Sequence, residues 1–334
     1  MHKNIPQLLT LLNDENFHSG SDLGEKLNLT RSAVWKLIKQ LEKLGIEVEV
    51  KTKLGYKITH NLEFLDARKI GQYFTVPHKQ YLDKIIIFDE LPSTNSYLIE
   101  LAKNDPNYKE CICLAESQTA GRGRLGRQWF SPYAKNILLS LLWRFSKEPN
   151  ELGGLSLAVA IAVIESLERY GIKQDIKLKW PNDVLWQQHK LAGILVEISG
   201  ENRHAYNTVI GIGLNLNMPK THSQNIGQPF CDVAEISNAT PERNKLTGLL
   251  IDQLLTTMEV FQKGSLQPFI EKWRELDVSY GQQVTIITPQ EKISGIGRGI
   301  DGKGHFLLED KLGKLHTFVA GEVSLEKNDM IMDF

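Results

Sequence analysis

Apolar residues in the first sixty positions recur at helical spacing and predict three short helices. The first helix has its apolar face at Ile5, Leu8, Leu9 and Leu12. A second helix is expected from about Ser21 to Leu27, and a third after Thr30, a residue well suited to cap a helix N-terminus. The third helix carries apolar residues at positions i, i+3, i+4, i+7 and i+10, namely Val34, Leu37, Ile38, Leu41 and Leu44. Gly45 is expected to end it.

Two short alternating segments, residues 46–50 and 56–59, follow and predict a β-hairpin. Helix, turn, helix and hairpin are typical of a winged helix-turn-helix. Between Thr30 and His60 there are seven Lys or Arg against three Glu, so a DNA phosphate would bind here. The alternative is a helical domain with an ordinary solvated polar face, although an exposed Trp35 usually has a partner. The candidate DNA-binding residues are Thr30, Arg31, Ser32, Trp35, Lys36 and Lys39.

Composition narrows the class of protein. With 334 residues, 41% hydrophobic and 24% charged, the chain is typical of a globular protein of two or three domains, and a net charge of −1 excludes a globally basic nucleic-acid binder. The longest apolar run, residues 155–164, is half as long as the roughly 20 residues that span a bilayer, and no signal-peptide core is evident. We therefore expect a cytoplasmic protein without membrane association. Its cysteines, Cys111, Cys113 and Cys231, are expected to be buried reduced thiols.

Beyond a domain boundary near residue 65, the pattern alternates between strands and helices and predicts an α/β domain. A connecting helical piece is expected from Leu62 to Tyr73. Strands are expected at residues 85–88, 111–115, 136–143, 176–180, 190–198 and 208–218. The last three suggest an antiparallel platform with polar residues at its ends. A helix capped by Ser93 should run to about Lys103, and another, apolar nearly all round, from Leu152 to Tyr170, closed by Gly171.

The segment from Gln118 to Pro132 combines three glycines with three arginines and is typical of an anion-binding loop. Its glycines match G-x-G-x-x-G, the spacing of dinucleotide-binding proteins. That motif needs a helix at the third glycine, whereas residues 128–132 have no helical period and end at a proline, so we reject it. A flexible basic surface turn is the remaining alternative.

Polar residues also collect at the ends of the predicted strands. Residues 93–95, Ser-Thr-Asn, offer both donors and acceptors, although helix capping alone would explain them. Asn182 and Asp183 lie at one turn, and Asn215 follows a pair of glycines. Lys190 opens an otherwise apolar strand, which is costly unless its ammonium meets an anion or reaches solvent at the edge of the sheet. The sequence contains no catalytic-triad arrangement, H-E-x-x-H motif or P-loop, so it gives no support to a nucleophilic hydrolase or a metalloprotease.

Five segments occur in the order found in biotin protein ligases. They are Ser93-Thr94-Asn95, the loop from Gly121 to Arg127, Lys179-Trp180-Pro181-Asn182-Asp183, Lys190-Leu191-Ala192-Gly193-Ile194 and Gly211-Ile212-Gly213-Leu214-Asn215. With the N-terminal winged helix, the chain resembles the bifunctional BirA type, which is both a ligase and a biotin operon repressor. Leu125 and Trp35 are positions at which we claim no identity with the family.

The resemblance implies an α+β multidomain fold. It predicts a winged helix-turn-helix domain at residues 1–64, a class II synthetase-like α/β catalytic domain at 65–275 and an SH3-like β-barrel at 276–334. Short segments at residues 284–288, 292–297, 305–308 and 315–318, separated by Gly- and Asp-rich turns, suit such a barrel.

The resemblance also implies an activity. Family members join biotin to ATP, giving biotinoyl-5′-AMP, and transfer biotin to a lysine of biotin carboxyl carrier protein. It further implies operator DNA as a partner and a homodimer that forms when the adenylate binds. A lipoate-type ligase and a non-catalytic, ligand-responsive transcription factor are the alternatives.

By the same resemblance, Lys190, Arg122 and Arg124 would supply catalytic positive charge. The biotin-binding residues would be Ser93, Thr94, Asn95, Gln118, Gly121, Arg122, Gly123, Arg124, Lys190 and Gly193. Those around ATP would be Arg127, Trp129, Asn182, Asp183 and Asn215. A nucleotide-bound Mg²⁺ would lie near Asp183 and need no dedicated metal site.

Overall fold

The computed structural model describes residues 4–105, 108, 110–202, 205–219, 227–289 and 291–325. The N-terminal domain confirms the predicted order of helices and hairpin. Its elements are α1 (Ile5–Leu12), α2 (Gly20–Leu27), α3 (Arg31–Lys43), β1 (Val48–Lys51) and β2 (Gly55–Ile58). Thr30 caps α3 as expected, because its side chain accepts a hydrogen bond from the backbone N–H of Ala33.

The hairpin packs closely against the turn before α2. The backbone of Gly55 has φ +110°, and a Cβ there would lie 1.9 Å from the carbonyl oxygen of His18, so only glycine fits. This contact fixes the wing relative to the helices. The hydrophobic core of the domain also includes Tyr133 from the following domain, which is 1% exposed.

A seven-stranded sheet forms the centre of the molecule, in the order β3-β4-β5-β9-β8-β7-β6. The β3–β4 pair is parallel, and the other pairs are antiparallel. The strands are β3 (Ile85–Leu91), β4 (Glu110–Gln118), β5 (Asn136–Phe145), β6 (Ile176–Lys179), β7 (Asp183–Trp186), β8 (His189–Asn202) and β9 (Ala205–Asn215). The helices of this domain are α4 (Ala67–Gly71), α5 (Thr94–Asn104), α6 (Leu155–Tyr170), α7 (Val233–Ser237), α8 (Arg243–Gly264) and α9 (Ile270–Leu276).

The helices cover both faces of this sheet. Leu98 of α5 packs with Cys113 and Val209 on one face, while α6 and α8 pack on the other, against alternate residues such as Ile112. The N-terminus of α5 therefore opens onto the face that lacks the two long helices.

Several sequence predictions need correction. The three strands predicted to form an antiparallel platform are β6, β8 and β9. A fourth strand, β7, lies between β6 and β8 and was not anticipated. Asp183 opens that strand instead of belonging to a turn. The helix predicted from Leu62 to Tyr73 is only the short helix α4. The helix predicted from Leu152 begins instead at Leu155, after a 3-10 turn at Pro149–Leu152. Helices α7, α8 and α9 were not anticipated.

The segment Pro149–Tyr170 is long enough to cross a membrane, and an 18-residue window within it has a mean hydropathy of 1.4. However, 67% of that window is buried inside the protein. Such burial is typical of the central helix of a folded domain. The three cysteines are free and buried, as expected. Burial raises the pKa of the Cys111 thiol to about 11 and that of Cys231 to about 12, and it also raises the pKa of Cys113.

A small antiparallel β domain follows, with its strands in the order β13-β12-β11-β10-β14. The strands are β10 (Gln283–Ile287), β11 (Lys292–Ile300), β12 (Phe306–Glu309), β13 (Leu315–Phe318) and β14 (Glu322–Leu325). The first four match the predicted strands, whereas β14 was not anticipated. Trp180 Nε1 donates a 3.0 Å hydrogen bond to the carbonyl of Gly304 and so ties this domain to the central one. The exact domain boundaries stay predictions.

Candidate functional site

A cavity of about 800 Å³ opens above the sheet, between the N-terminus of α5, the arginine-rich loop and the small β domain. Fourteen of the fifteen predicted ligand-binding residues line it. They are Ser93, Thr94, Asn95, Gln118, Arg122, Gly123, Arg124, Arg127, Trp129, Asn182, Asp183, Lys190, Gly193 and Asn215. The remaining one, Gly121, is buried beside the cavity, and its carbonyl accepts a hydrogen bond from the N–H of Trp129 at 2.9 Å.

The floor of the cavity is a network of hydrogen-bonded polar side chains, most of them buried. The Oε1 of Gln118 accepts hydrogen bonds from the backbone N–H and the hydroxyl of Thr94, at 2.7 and 3.0 Å. The hydroxyl of Ser140, on β5, lies 2.7 Å from Thr94 Oγ1 and 2.5 Å from Asn95 Oδ1. Ser93 caps α5, because its side chain accepts from the N–H of Ser96. Each polar group therefore has a fixed orientation, as a site with a defined donor and acceptor pattern requires.

Glycines on the central strands let larger side chains approach the sheet. A Cβ at Gly213 would lie 2.4 Å from the indole of Trp129, and one at Gly211 would lie 2.3 Å from Asn95 Oδ1. Trp129 therefore lies flat against β9 at the cavity wall. Its Nε1 is shielded from solvent and has no hydrogen-bond partner among the described residues, so it is available to a ligand.

Lys190 meets an anion within the site. Its Nζ lies 2.7 Å from Oδ1 of Asp183, and the two side chains are 16% and 18% exposed. The ammonium also lies 5.6 Å from the ring centroid of Trp129. The alternative interpretation, that the side chain of Lys190 extends to solvent at the edge of the sheet, is therefore wrong.

Each of the three loop arginines has a polar partner. Arg122 forms an ion pair with Glu197 of β8, and Arg127 pairs with Glu322 of the small β domain. Arg124 Nη1 lies 3.5 Å from Asn182 Oδ1. Burial lowers the pKa of Arg124, while nearby carboxylates oppose that shift. The loop thus spans the cavity from the sheet to the β domain.

The loop backbone also bears on the rejected dinucleotide motif. Residues 124–126 form a 3-10 turn, in which Leu125 has φ +55° and a side chain that is 74% exposed. The residues from there to β5 contain no α-helix. The chain therefore lacks the helix that this motif would place at its third glycine, which confirms the rejection.

The two predicted nucleotide-binding asparagines, Asn182 and Asn215, donate hydrogen bonds to nearby backbone carbonyls. Asn215 Nδ2 donates to the carbonyls of Lys190 and Cys231, at 3.2 and 3.0 Å. Asn182 Nδ2 donates to the carbonyl of Ile194 at 2.7 Å. Both line the cavity, so they shape its wall whatever they contact in a complex. Among the described residues, no group of three or more His, Cys, Asp or Glu is placed to hold a metal ion.

The polar residues that sequence reasoning missed include Ser140, Glu197 and Glu322, which contact Asn95, Arg122 and Arg127 respectively. The first two carried a usable signal, because each is a polar residue inside an apolar strand, where it must find a partner. Glu322 lies in a strand that was not anticipated, and nothing in its local sequence pointed to the cavity.

The predicted DNA-binding residues lie on the outer face of α3. Arg31, Lys36 and Lys39 are exposed, and Trp35 is 51% exposed. The Nζ of Lys39 lies 2.8 Å from Glu42, so part of its charge is neutralised within the helix. On the hairpin, Lys51 lies 4.7 Å from the ring centroid of Phe17.

Comparison with known proteins covers all three parts of the chain. Residues 5–57 match a helix-turn-helix domain, residues 87–215 match the biotin/lipoate A/B protein ligase family, and residues 280–326 match the biotin protein ligase C-terminal domain.

Full-length relatives agree with this organisation. The bifunctional ligase/repressor BirA of Salmonella typhimurium is 38% identical over 95% of this chain and 96% of its own length. The protein of the same name from Escherichia coli is 36% identical over 96% of each chain. A biotin protein ligase from Aquifex aeolicus, solved with biotin and ATP, superposes with a TM-score of 0.60 at 28% identity, over 73% of this chain and 98% of its own. The chain therefore belongs to the biotin protein ligase family, in its bifunctional ligase/repressor form.

Proposed function

We propose that this chain joins biotin to ATP, forming biotinoyl-5′-AMP and pyrophosphate, and then transfers biotin to a lysine of biotin carboxyl carrier protein. The observation that carries the proposal is the convergence of four cationic side chains of the predicted site on one cavity with a polar floor, which Lys179 also lines. Those cations are Lys190, Arg122, Arg124 and Arg127. Two anionic substrates that must react with each other need such a concentration of positive charge.

Biotin suits the floor beside α5. Its ureido ring has a carbonyl that needs donors and N–H groups that need acceptors, and its bicyclic body is apolar. Thr94, Asn95 and Gln118 offer both kinds of polar group from hydrogen-bonded positions, the first two buried and Gln118 partly buried. Ser93 and Gly193 also line the cavity, Gly193 next to Trp129 and Lys190. The biotin carboxylate would then point toward Lys190.

Adenylation needs a negative nucleophile to reach a negative phosphate. A carboxylate oxygen of biotin attacks the α-phosphorus of ATP, a new P–O bond forms, and the bond to pyrophosphate breaks. Lys190 and Arg124 would neutralise the charge that concentrates at the α-phosphate, while Trp129 covers the nucleotide. Asn182, Asp183 and Asn215 would face the phosphates, and Mg²⁺ would arrive with the nucleotide, which supplies most of its ligands.

The second step transfers biotin to protein. The neutral amine of the acceptor lysine attacks the carbonyl carbon of the mixed anhydride, an amide bond forms, and AMP leaves. The arginine-rich loop, residues 121–127, would close over the adenylate between the two steps. Closure would exclude water, which otherwise hydrolyses the anhydride.

The N-terminal domain would make the same protein a repressor of biotin synthesis genes. The outer face of α3, with Arg31, Lys36 and Lys39 exposed, would bind operator DNA. Thr30 and Ser32 lie at its N-terminal end, where phosphates bind well. The adenylate would serve as corepressor by promoting a homodimer, and both functions fit a cytoplasmic location.

A biotin-dependent ATP–pyrophosphate exchange assay tests the catalytic proposal. We expect label from pyrophosphate to enter ATP when biotin is present and not when lipoate replaces it. Exchange with lipoate would support a lipoate-type ligase. Tight biotin binding without exchange would indicate a ligand-responsive transcription factor that lacks catalysis.

A further inference from the structure

The carboxylate of Glu197 joins the arginine-rich loop to the floor of the cavity. Its Oε2 accepts a hydrogen bond from Asn95 Nδ2 at 2.8 Å and another from Arg122 Nη2 at 2.7 Å. One oxygen atom therefore holds a side chain from the first turn of α5 and a side chain from the loop. The Glu197 side chain is 25% exposed, so it is partly shielded from water and its hydrogen bonds are correspondingly stronger.

Glu197 determines which way the amide of Asn95 points. A carboxylate only accepts hydrogen bonds, so the NH₂ end of Asn95 must face it. The same Nδ2 lies 3.3 Å from the carbonyl of Leu195, while Oδ1 faces the hydroxyl of Ser140. Gly211 of β9 lies directly against the amide and blocks its movement toward that strand. Rotation of the amide about its last bond remains the accessible change.

The orientation of Asn95 affects the rest of the floor. Because Oδ1 of Asn95 is an acceptor, the hydroxyl of Ser140 donates its hydrogen to it, and the Ser140 oxygen also lies 2.7 Å from Thr94 Oγ1. Thr94 in turn contacts Gln118. A reversed amide would present a donor to Ser140 and change the pattern that a ligand meets.

The second contact restrains the loop. Arg122 is 42% exposed at its side chain, so its ion pair with Glu197 is only partly shielded and is the weaker of the two attachments. It nevertheless fixes the base of the loop at the strand whose carboxylate also holds Asn95. Ligand contact with Asn95 and the position of the loop are therefore linked through one side chain.

We infer that Glu197 is a positioning residue of the ligase, which acts through Asn95 and Arg122 to set how long biotin and its adenylate stay bound. The inference rests on the proposed biotin site. Lys190, whose ammonium is held by Asp183, keeps its position through separate contacts. Glu197 therefore governs ligand retention through Asn95 and the loop, and it affects adenylation at saturating substrate only through Arg122, because Arg124 also keeps its own contact with Asn182.

The test compares Glu197→Ala and Glu197→Gln with Glu275→Ala in the full-length protein. Glu275 is a matched control, because it pairs with Lys272 on the surface of α9, away from the cavity. Biotin dissociation is followed without ATP by chase with unlabelled biotin, and adenylation is followed in single turnovers at saturating biotin and ATP. Circular dichroism checks that each variant is folded.

We expect Glu197→Ala to release biotin about 10- to 100-fold faster, the effect of losing a hydrogen bond to a charged group, and the control to match wild type. Saturated adenylation should fall by a smaller factor than biotin release rises, because Lys190 and Arg124 keep their own contacts. Glu197→Gln keeps an acceptor for Asn95, so its biotin release should be much closer to wild type than that of Glu197→Ala.

Unchanged release in Glu197→Ala, a loss of saturated adenylation larger than the change in release, or equal defects in the two variants would each overturn the inference. Failure of the proposed function is visible separately, as an absence of biotin-dependent exchange in the wild-type protein. Because biotin release is measured without ATP, the two outcomes do not depend on each other.

Discussion

The ammonium of Lys190 and the carboxylate of Asp183 are held 2.7 Å apart on two paired antiparallel strands. A register shift between Val184 and Leu185 lets the lysine, which lies opposite Leu185, reach back to Asp183. The carboxylate occupies the position beside the cation that an anionic substrate would need. A bound ligand must therefore share Lys190 with Asp183 or replace it.

Lys190→Ala should slow adenylate formation by about 10²-fold or more, because the biotin carboxylate and the α-phosphate would then repel each other without a neutralising cation. Single-turnover formation of biotinoyl-5′-AMP measures this. Lys177→Ala is the matched control, since Lys177 is a lysine of β6 that pairs with Asp175 at the surface. A folded Lys190→Ala protein with a near-normal rate would remove this residue from the mechanism.

Trypsin should cleave the arginine-rich loop after Arg122, Arg124 or Arg127 in the free protein, and biotin with ATP should suppress that cleavage. The loop has little core of its own, and its outermost side chain, Leu125, is 74% exposed. Mass spectrometry of the fragments locates the cut. Equal cleavage with and without ligands would show that the loop does not close.

Lys36→Glu should weaken operator binding and reduce the slope of log affinity against log salt by about one unit, because one phosphate contact is lost. Lys39→Glu should have a smaller effect, since Lys39 is already paired with Glu42. Lys263→Glu, an exposed substitution on α8, is the control. Binding isotherms of Lys36→Glu that superimpose on wild type at every salt concentration would place the DNA elsewhere.

Biotinoyl-5′-AMP should strengthen homodimer formation, and operator DNA should then tighten adenylate binding by the same factor, since the linkage is reciprocal. In a dimer, contact with the second half-site becomes an intramolecular event, which raises affinity without new contacts. Sedimentation equilibrium with and without adenylate measures the association constant. An unchanged constant would rule out the corepressor mechanism and leave the ligase proposal intact.

Glu116→Gln should destabilise the protein by about 3–5 kcal/mol, because it leaves the buried guanidinium of Arg243 without its counter-charge. The two side chains are 4% and 3% exposed, and the N–H of Leu65 also donates to Glu116, at 2.7 Å. Replacing both residues by methionine should cost less than the single change. Urea unfolding curves compare the variants, and a stability loss below about 1 kcal/mol for Glu116→Gln would mean that water reaches this pair.

Much of the fold followed from local pattern. The apolar spacing of α3 and its cap at Thr30 were readable because a helix with one buried face needs a 3.6-residue period and a capped first turn. The glycine-rich loop was correctly distinguished from a dinucleotide motif, since the helix that such a motif needs was missing from the sequence after Gly126. Recognition of the cavity residues depended on five short motifs that occur in a fixed order between residues 93 and 215.

Tertiary structure alone decided the rest. Helix α8 escaped notice because it buries Asp252 and Asn244, and their partners lie far away in the chain: Asp252 accepts from Thr75, and Asn244 accepts from the N–H of Asp66. Buried polar residues satisfied at such a distance disrupt the apolar period that reveals a helix. In the same way, Glu197 joins the site because β8 crosses beneath both α5 and the loop. Its role depends on that crossing, which no local pattern encodes.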